Sequence, residues 1–284
     1  MLTFFTTPKA FHGHIGTIQR NALKSWIQLD PRPEVLMMGD DPGVLETAQE
    51  FNFKHCPLKT PAGQVPLLSD IFQTAYKEAS YDYLCFINTD IILLDDFMPA
   101  FHKIRQKFTK FLMISSRWNL DIAEILPLES PDERTQLRQK AVQKHDMYPA
   151  GGSDYFVFHK SMFHDIPPLL LGRGYWDNWL MYQAKQEQAA VIDVTYDVIA
   201  VHQNHDYSHI QGLQAGERDA GLVFKAQQGR QNLQLAGGQK NIYTNYDADY
   251  VMMSSNIYSS WNIKFIVRRL KSSIRRLKLR LLSN

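Results

Sequence analysis

Residues 83–93, with the sequence Tyr-Leu-Cys-Phe-Ile-Asn-Thr-Asp-Ile-Ile-Leu, decide how the rest of this chain is interpreted. They form an apolar run, typical of a fully buried strand, that is interrupted by the polar triplet Asn88-Thr89-Asp90. Open α/β sheets bind ligands just beyond the carboxyl ends of their strands, so a carboxylate in this triplet is well placed to hold a metal ion or a phosphate. Asp90 is therefore the first candidate site residue.

Strands and helices alternate along the chain before this run. The apolar patterns predict strands over 2–6, 34–38, 53–58 and 83–87, with helices over 15–29, 44–51 and 65–79 between them. Four β-α units within about 90 residues predict a mostly parallel, Rossmann-like sheet whose strand ends converge on one crevice. No G-x-G-x-x-G follows the first strand, which argues against a dinucleotide cofactor but leaves room for a nucleotide.

Composition limits the remaining possibilities. The chain has 284 residues, of which 44% are hydrophobic and 12% aromatic, and this favours one α/β domain with an appendage. Cys56 and Cys85 each lie in an apolar segment, which favours buried thiols in a reducing compartment over a disulfide or a zinc site. No apolar run reaches the roughly 18 residues of a membrane span, and residues 1–5 lack the features of a signal peptide. We therefore expect a cytoplasmic body.

The order of motifs resembles that of nucleotide-sugar-dependent glycosyltransferases of the GT-A fold, over roughly residues 2–205. Asn88-Thr89-Asp90 stands where that family has its Asp-x-Asp motif. Gly151-Gly152-Ser153 matches its glycine loop, and Trp176-Asp177-Asn178 matches its acidic catalytic motif at a helix start. His202 matches the histidine that completes the cation site in metal-dependent members. The resemblance implies a catalytic domain over 1–205, with a nucleotide half over about 1–95 and an acceptor half over about 96–205.

The resemblance implies a divalent cation, Mn²⁺ or Mg²⁺, held by Asp90 and His202 on the diphosphate of the donor. Asn88 departs from the family's usual Asp, because an amide can form hydrogen bonds but carries no charge. One alternative is that the triplet only forms a turn after the strand. Another is a zinc cluster built from the three histidines of segment 202–209. We expect instead one functional histidine in this segment, His202, with His205 as the second choice.

Asp177 is the expected catalytic base. In inverting members the matching carboxylate takes a proton from the acceptor hydroxyl, and the aromatic neighbours Tyr175, Trp176 and Trp179 could raise its pKa. The alternative is that Asp177 caps the following helix, as Asp commonly does. The resemblance implies acceptor contacts from the glycine loop and the two tryptophans: Gly151, Gly152, Ser153, Asp154, Trp176 and Trp179.

Donor contacts are expected where the first strands end and at the polar triplet. The residues in question are Phe5, Thr6, Thr7, Asp40, Asp70, Asn88, Thr89 and Asp90. Asp70 falls on a predicted helix, and the alternative for it is a solvated helix position.

The end of the chain carries a separate signal. All eight Lys and Arg residues after Asp249 lie in segment 264–280, and apolar residues recur there every three or four positions from Ile263 to Leu281. This pattern predicts a basic amphipathic helix within 256–284 that lies on an anionic membrane surface through 261–284. Nucleic acid could attract the same charge, but the broad apolar stripe favours a membrane, and we expect no nucleic-acid partner; a partner helix in a coiled coil is a further alternative. We expect segment 206–255, rich in Gln, Gly and Asn, to be flexible on the acceptor side.

Together these features predict a glycosyltransferase that moves a sugar from a nucleotide diphosphate donor to a glycan or lipid-linked acceptor, with inversion. It would be cytoplasmic and peripheral on the inner face of the membrane. The alternatives are a retaining transferase, a sugar-nucleotide nucleotidyltransferase and a catalytically inactive binding module. The glycine-rich loop that a nucleotidyltransferase has after its first strand is missing from residues 5–10.

Overall fold

Twelve strands form within residues 1–148, 152–205, 224 and 226–282, which the computed structural model of the protein describes. In chain order they are β1 (Thr3–Thr6), β2 (Glu34–Met38), β3 (Lys54–Cys56), β4 (Tyr83–Ile87), β5 (Ile91–Ile92), β6 (Phe111–Ile114), β7 (Arg117–Leu120), β8 (Tyr155–His159), β9 (Ala190–Asp193), β10 (Ala200–Gln203), β11 (Tyr250–Met253) and β12 (Asn256–Ser259).

The helices of the same residues alternate with these strands in the first half of the chain. They are α1 (Gly13–Ile27), α2 (Val44–Phe51), α3 (Leu68–Glu78), α4 (Phe97–Lys107), α5 (Pro131–Lys144), α6 (Trp176–Gln186), α7 (Gln227–Leu235) and α8 (Ile266–Leu282). Two short 3₁₀ turns, Gln239–Asn241 and Asn245–Asp247, lie between α7 and β11.

Nine of the strands form one mostly parallel sheet, as predicted. Their order is β12-β11-β9-β6-β8-β4-β1-β2-β3. The first four strands of the chain are parallel to one another, whereas β8 runs antiparallel to both of its neighbours, β4 and β6. Three short strands form a second sheet in the order β5-β10-β7, and of these β5 follows β4 directly in the chain. This second sheet brings β10 against the residues that follow Asp90.

The large sheet is buried on both faces. Neighbouring residues of β1 point to opposite sides: the ring of Phe4 packs edge-on against Trp26 and Phe97, and that of Phe5 packs against Phe72 and Phe86. A strand covered on both sides reads as a continuous apolar run, which explains the pattern that the sequence shows at β4. Two hydrophobic cores, one on each face, therefore fix the carboxyl ends of the parallel strands.

The segment 206–255, expected to be flexible, is ordered where it is described. It contains α7, the two 3₁₀ turns and β11, which pairs in parallel with β9 and thereby extends the large sheet. Val251 and Met252 are buried there. The sheet consequently continues past residue 205, the expected end of the catalytic domain. Residues 206–223 lie outside the described part.

The helix of the basic tail begins later in the chain than residue 256, the expected bound. Residues 256–259 form β12, paired with β11, and the helix α8 starts at Ile266. Phe265, just before the helix, is buried against the body. Within the described ranges, no helix combines the length and the apolar character that crossing a membrane requires.

Candidate active site

A cavity of about 460 Å³ opens where β1, β2 and β4 end. This volume falls in the range of pockets that hold small ligands. Its wall combines the turn after β4, the loop before β8, the start of α6 and the loop over 58–66. The predicted crevice at the strand ends is therefore present, and most of the candidate residues face it.

Three potential metal ligands meet at this wall. The carboxylate of Asp90 lies 3.0 Å from Nε2 of His205 and 3.6 Å from Nε2 of His202, and one ligand atom from each residue falls within 4.8 Å of the others. β10 carries His202, and its pairing with β5 holds the histidine beside the turn that follows β4. The sequence ranked His205 second, and the structure brings both histidines to Asp90.

The chemical state of these side chains suits a metal ion. Burial disfavours charge on Asp90, but attraction and hydrogen bonds from His202 and His205 outweigh it and hold the pKa of the carboxyl well below its usual range. Burial, together with repulsion from Arg117, lowers the pKa of His202 despite the attraction of Asp90, and this favours the neutral form of its imidazole. An ionised carboxylate and a neutral imidazole are the forms that bind metals. Among the described residues, Oδ1 of Asp90 and Nδ1 of His202 are buried without a hydrogen-bond partner.

Asn88, where the family usually has Asp, is bound to another carboxylate. Its amide Nδ2 donates to Oδ1 of Asp154 at 2.7 Å, and Oδ2 of Asp154 accepts from Arg117 at 2.9 Å. The Arg117 guanidinium also stacks on the ring of Tyr148, with 4.5 Å between its central carbon and the ring centroid. Asn88, Asp154 and Arg117 therefore form one nearly buried network on the cavity wall, in which Arg117 balances the charge of Asp154.

Asp177 lines the same cavity from the first turn of α6. Burial and the nearby Asp154 raise the pKa of its carboxyl to about 7, against hydrogen bonds from backbone N–H groups that lower it. The helix cap is Tyr175, in the left-handed region with φ +65°, so the alternative role of Asp177 as the cap is wrong. Its Oδ1 is buried with no hydrogen-bond partner in the described chain.

The two expected aromatic acceptor contacts are both core residues. Trp176 packs edge-on against Phe86 and Phe156 and reaches the cavity only with its remaining surface. Trp179 is buried in the same core and does not line the cavity, so its prediction as an acceptor contact is wrong. Both lie on the face of α6 that packs on the sheet, because that face needs large apolar side chains.

Most of the glycine loop occupies its expected place. Gly152, Ser153 and Asp154 line the cavity. A Cβ at Gly152 would collide with the ring of Tyr148, so this position requires glycine. Gly151 lies outside the described residues.

On the donor side, the structure separates true cavity residues from core residues. Thr7, Asp40, Asn88, Thr89 and Asp90 line the cavity. Asp40 also lies 3.2 Å from Nε2 of His55.

The remaining donor candidates, Phe5, Thr6 and Asp70, do not line the cavity. Phe5 is buried in the core, and the hydroxyl of Thr6 forms a hydrogen bond with the hydroxyl of Thr89 at 2.6 Å. Asp70 lies in the first turn of α3, away from the cavity lining. Sequence alone did not separate the last inward residues of β1 from those just beyond its end.

Three cavity features were not predicted. Arg117 begins β7, a strand too short to leave a pattern, and Arg173 lies in the loop before α6. The loop over 58–66, rich in Pro and Gly, forms the wall opposite the strand ends. The glycines around Arg173, in the sequence Gly172-Arg173-Gly174, were the one available signal of a specialised loop.

Comparison with solved structures identifies the fold. The chain superposes on TarS residues 1–349 of S. aureus, determined in complex with UDP-GlcNAc, with a TM-score of 0.51 at 12% identity. The superposition covers 79% of this chain and 65% of TarS 1–349, which is less than two thirds of that protein. The chain has the GT-A glycosyltransferase fold.

A further similar structure is the glucosyl-3-phosphoglycerate synthase of Mycobacterium tuberculosis in complex with Mg²⁺ and UDP. The TM-score is 0.49 at 12% identity, over 84% of this chain and 80% of that enzyme. No family model matches the sequence, and no curated protein matches it. At this level of identity the similarity shows the fold and not the activity.

Proposed function

We propose that this GT-A protein is a glycosyltransferase that takes a sugar from a nucleotide diphosphate donor with the help of a divalent cation. The observation that carries the proposal is the meeting of Asp90, His202 and His205 at the end of β4, beside a ligand-sized cavity. One carboxylate and two imidazoles suit Mn²⁺ better than Mg²⁺, which prefers oxygen ligands. When bound, the cation would neutralise charge that develops on the leaving diphosphate.

We assign Asp177 the role of general base. Its raised pKa, about 7, lets it hold a proton reversibly near neutral pH, which is the condition for efficient proton transfer. From the start of α6 it faces the cavity and would take the proton of the acceptor hydroxyl as that oxygen attacks the donor sugar. A single-displacement reaction of this kind inverts the anomeric carbon. In a retaining transferase Asp177 would only orient the substrate.

The donor hypothesis is tested by thermal unfolding of the full chain in a panel of nucleotide diphosphate sugars. A donor at 100 times its dissociation constant should stabilise the protein by about 2.7 kcal/mol. We expect stabilisation in Mn²⁺ and its loss in EDTA. If no nucleotide or nucleotide sugar stabilises the chain with either cation, the proposal is wrong. Donor hydrolysis by the purified protein would argue against an inactive binding module.

We further propose that α8 attaches the enzyme to the inner face of an anionic membrane, where a glycan or lipid-linked acceptor is presented. Four apolar side chains of the helix, and one just before it, face away from the body, with exposed fractions between 49% and 86%. They are Ile263, Val267, Leu270, Ile274 and Leu277. An exposed stripe of this length is what an interfacial helix inserts among lipid headgroups.

The cations of this segment are divided between the protein and the solvent. Arg268 pairs with Asp193 at 2.5 Å, and Arg276 pairs with Asp247 at 2.7 Å. Lys264, Lys271 and Lys278 are exposed. Among the described cations of this segment, these three exposed lysines beside the apolar stripe are the ones most open to anionic lipid. This balance favours a membrane over nucleic acid, which would leave the apolar stripe in water.

Vesicle binding tests this attachment. Replacing Ile274 by Glu should abolish binding of the full chain to vesicles with anionic lipid, and so should replacing Val267 and Ile274 together, whereas Ser273→Glu, which adds the same single charge as Ile274→Glu at an exposed polar position of the same helix, should weaken it only slightly. Salt should weaken binding of the wild type. Equal binding by all of these proteins, or binding to nucleic acid alone, would contradict a membrane role and leave the transferase proposal intact.

A further inference from the structure

The cavity contains a buried cation whose charge the described residues do not neutralise. Arg173 is only 7% exposed and lines the cavity. Within the described parts of the chain its guanidinium has two hydrogen-bond partners, the side-chain oxygen of Gln228 and the carbonyl oxygen of Gly172, and both are uncharged. The other cavity arginine, Arg117, is paired with Asp154. The two arginines therefore differ in what balances their charge.

Several contacts fix the loop that carries Arg173. The buried side chain of Asn232, in α7, accepts from the N–H of Leu170 at 2.9 Å and donates to the carbonyl oxygens of Leu170 and Gly174 at 2.8 and 3.0 Å. Leu171 donates its N–H to the carbonyl oxygen of Pro66, in the loop on the other side of the cavity. The arginine is therefore held in place before any ligand arrives.

Glycine conformations support the same conclusion. Gly172 and Gly174, on either side of Arg173, have φ of +68° and +75°, in the left-handed region that favours glycine. A Cβ at Gly174 would also lie 2.9 Å from the ring of Phe224. The chain thus uses two constrained positions to turn one arginine into the cavity wall.

Burying a guanidinium without a carboxylate is unfavourable, and burial lowers the pKa of Arg173 with no acidic group of the described residues opposing it. A protein tolerates such a charge where a ligand supplies the missing anion. Arginine is suited to this role because its planar donors bind phosphate and carboxylate oxygens in pairs. Asn232 and Gln228 hold the side chain in place, so little conformational freedom is lost on binding.

We propose that Arg173 binds an anionic oxygen group, a phosphate or a carboxylate, of a substrate that enters this cavity. The inference rests on the proposed function and deepens it, because it gives one of the two substrates a required negative charge. Two sources share this chemistry: the diphosphate of the donor and an acidic group on the acceptor.

The experiment measures binding by calorimetry to the full chain, with Arg173→Gln, Arg173→Lys and the control Arg230→Gln, an exposed arginine of α7. The probes are uridine and UDP, each with Mn²⁺, and inorganic phosphate added alone or after UDP and Mn²⁺. If the donor supplies the anion, Arg173→Gln should weaken UDP at least tenfold and leave uridine unchanged. If the acceptor supplies it, UDP affinity should stay constant, and phosphate should bind the wild type but not Arg173→Gln.

Arg173→Lys keeps the charge but loses the paired donors, so we expect an affinity between those of the wild type and Arg173→Gln. This variant also provides the test if Arg173→Gln does not fold. Wild-type affinities for UDP and phosphate in folded Arg173 variants would overturn the inference. If the wild type binds phosphate through Arg173 but no nucleotide with any cation, the proposed function fails while the anion site stands.

Discussion

The cavity contains buried arginines and the helix α8 contains partly buried ones, and the two regions balance the charge differently. At α8, Arg268 and Arg276 face carboxylates of the body, Asp193 and Asp247, each of which is buried. At the cavity, Arg173 faces no carboxylate of the described residues. The comparison teaches that a count of basic residues says little about ligands. What matters is which cations the protein has already neutralised.

The same contrast separates Asp90 from Asp247. Both are surrounded by groups that stabilise the negative charge. In Asp247, Oδ1 accepts hydrogen bonds from Arg276 and Ser272, and Oδ2 accepts one from the backbone N–H of Thr244. Asp90 keeps one buried oxygen without a partner in the described chain. We therefore expect Asp90 to serve a ligand and Asp247 to serve stability.

The largest effect is expected at the cation site. Asp90→Asn removes the only carboxylate of the cluster, so sugar transfer should fall below detection while the protein stays folded. The control is Asp165→Asn, an exposed carboxylate, which should keep wild-type transfer. The measurement is initial rate in Mn²⁺ with the donor found by thermal unfolding. Normal transfer by Asp90→Asn would place Asp90 with the structural carboxylates.

Asp177→Asn should lower turnover by roughly 10² to 10⁴, because it removes the general base without changing the shape of the side chain. Wild-type turnover should rise with pH through about 7, as Asp177 loses its proton. A product that retains its anomeric configuration would contradict the inverting mechanism.

We also expect Asp177 to affect stability: as pH rises through about 7, turnover should increase while the stability that this group contributes should decrease. The folded protein raises its pKa, so the native state binds more protons than the unfolded state between pH 4 and 7, and stability contributed by this group falls as pH rises through that window. Asp177→Asn should therefore raise the melting temperature more at pH 8 than at pH 4. An equal change at both pH values would contradict a raised pKa.

At α8 the expected effect is on stability. Asp247→Asn leaves Arg276 without its carboxylate, and breaking a buried pair costs about 3 to 5 kcal/mol of unfolding free energy. Lys271→Gln, in the same helix but exposed, should change it by less than about 0.5 kcal/mol. Chemical unfolding of the full chain measures both. Equal stability of the two variants would mean that α8 is not docked through its arginines.

The smallest effect is expected for single lysines on membrane binding. Replacing Lys264, Lys271 or Lys278 by Gln should weaken binding to anionic vesicles by roughly fivefold each, equivalent to about 1 kcal/mol per cation. Vesicle sedimentation at low salt measures this change. No loss in the triple variant would mean that the apolar stripe acts without help from charge.

The sequence predicted the elements whose signals are local. β2 and β4 contain continuous apolar runs, β1 has two adjacent phenylalanines, and the apolar residues of α1 follow a helical period. The parallel sheet and the place of Asp90 after a buried strand therefore followed from pattern alone. β11 was missed because four residues give too short a local pattern, and this strand is stabilised by pairing with β9, far away in the chain.

The same limit explains the site residues. Asp177 and His202 stood out through the motif order. Arg173 carries no motif, and only the fold shows that it is buried with uncharged partners among the described residues. The tail was predicted as amphipathic, but its division into arginines that face acids and lysines that face solvent depends on Asp193 and Asp247, which the helix meets only in the fold. Long-range partners, not local propensity, decide these assignments.

Binding of Mn²⁺ to the full chain in the presence of UDP tests the central claim most directly. Electron paramagnetic resonance of free Mn²⁺ counts the bound ions. The account predicts one Mn²⁺ per chain for the wild type and for Asp165→Asn, and a large loss of affinity for Asp90→Asn. Mn²⁺ binding by Asp90→Asn equal to that of the wild type, or none by the wild type, would contradict it.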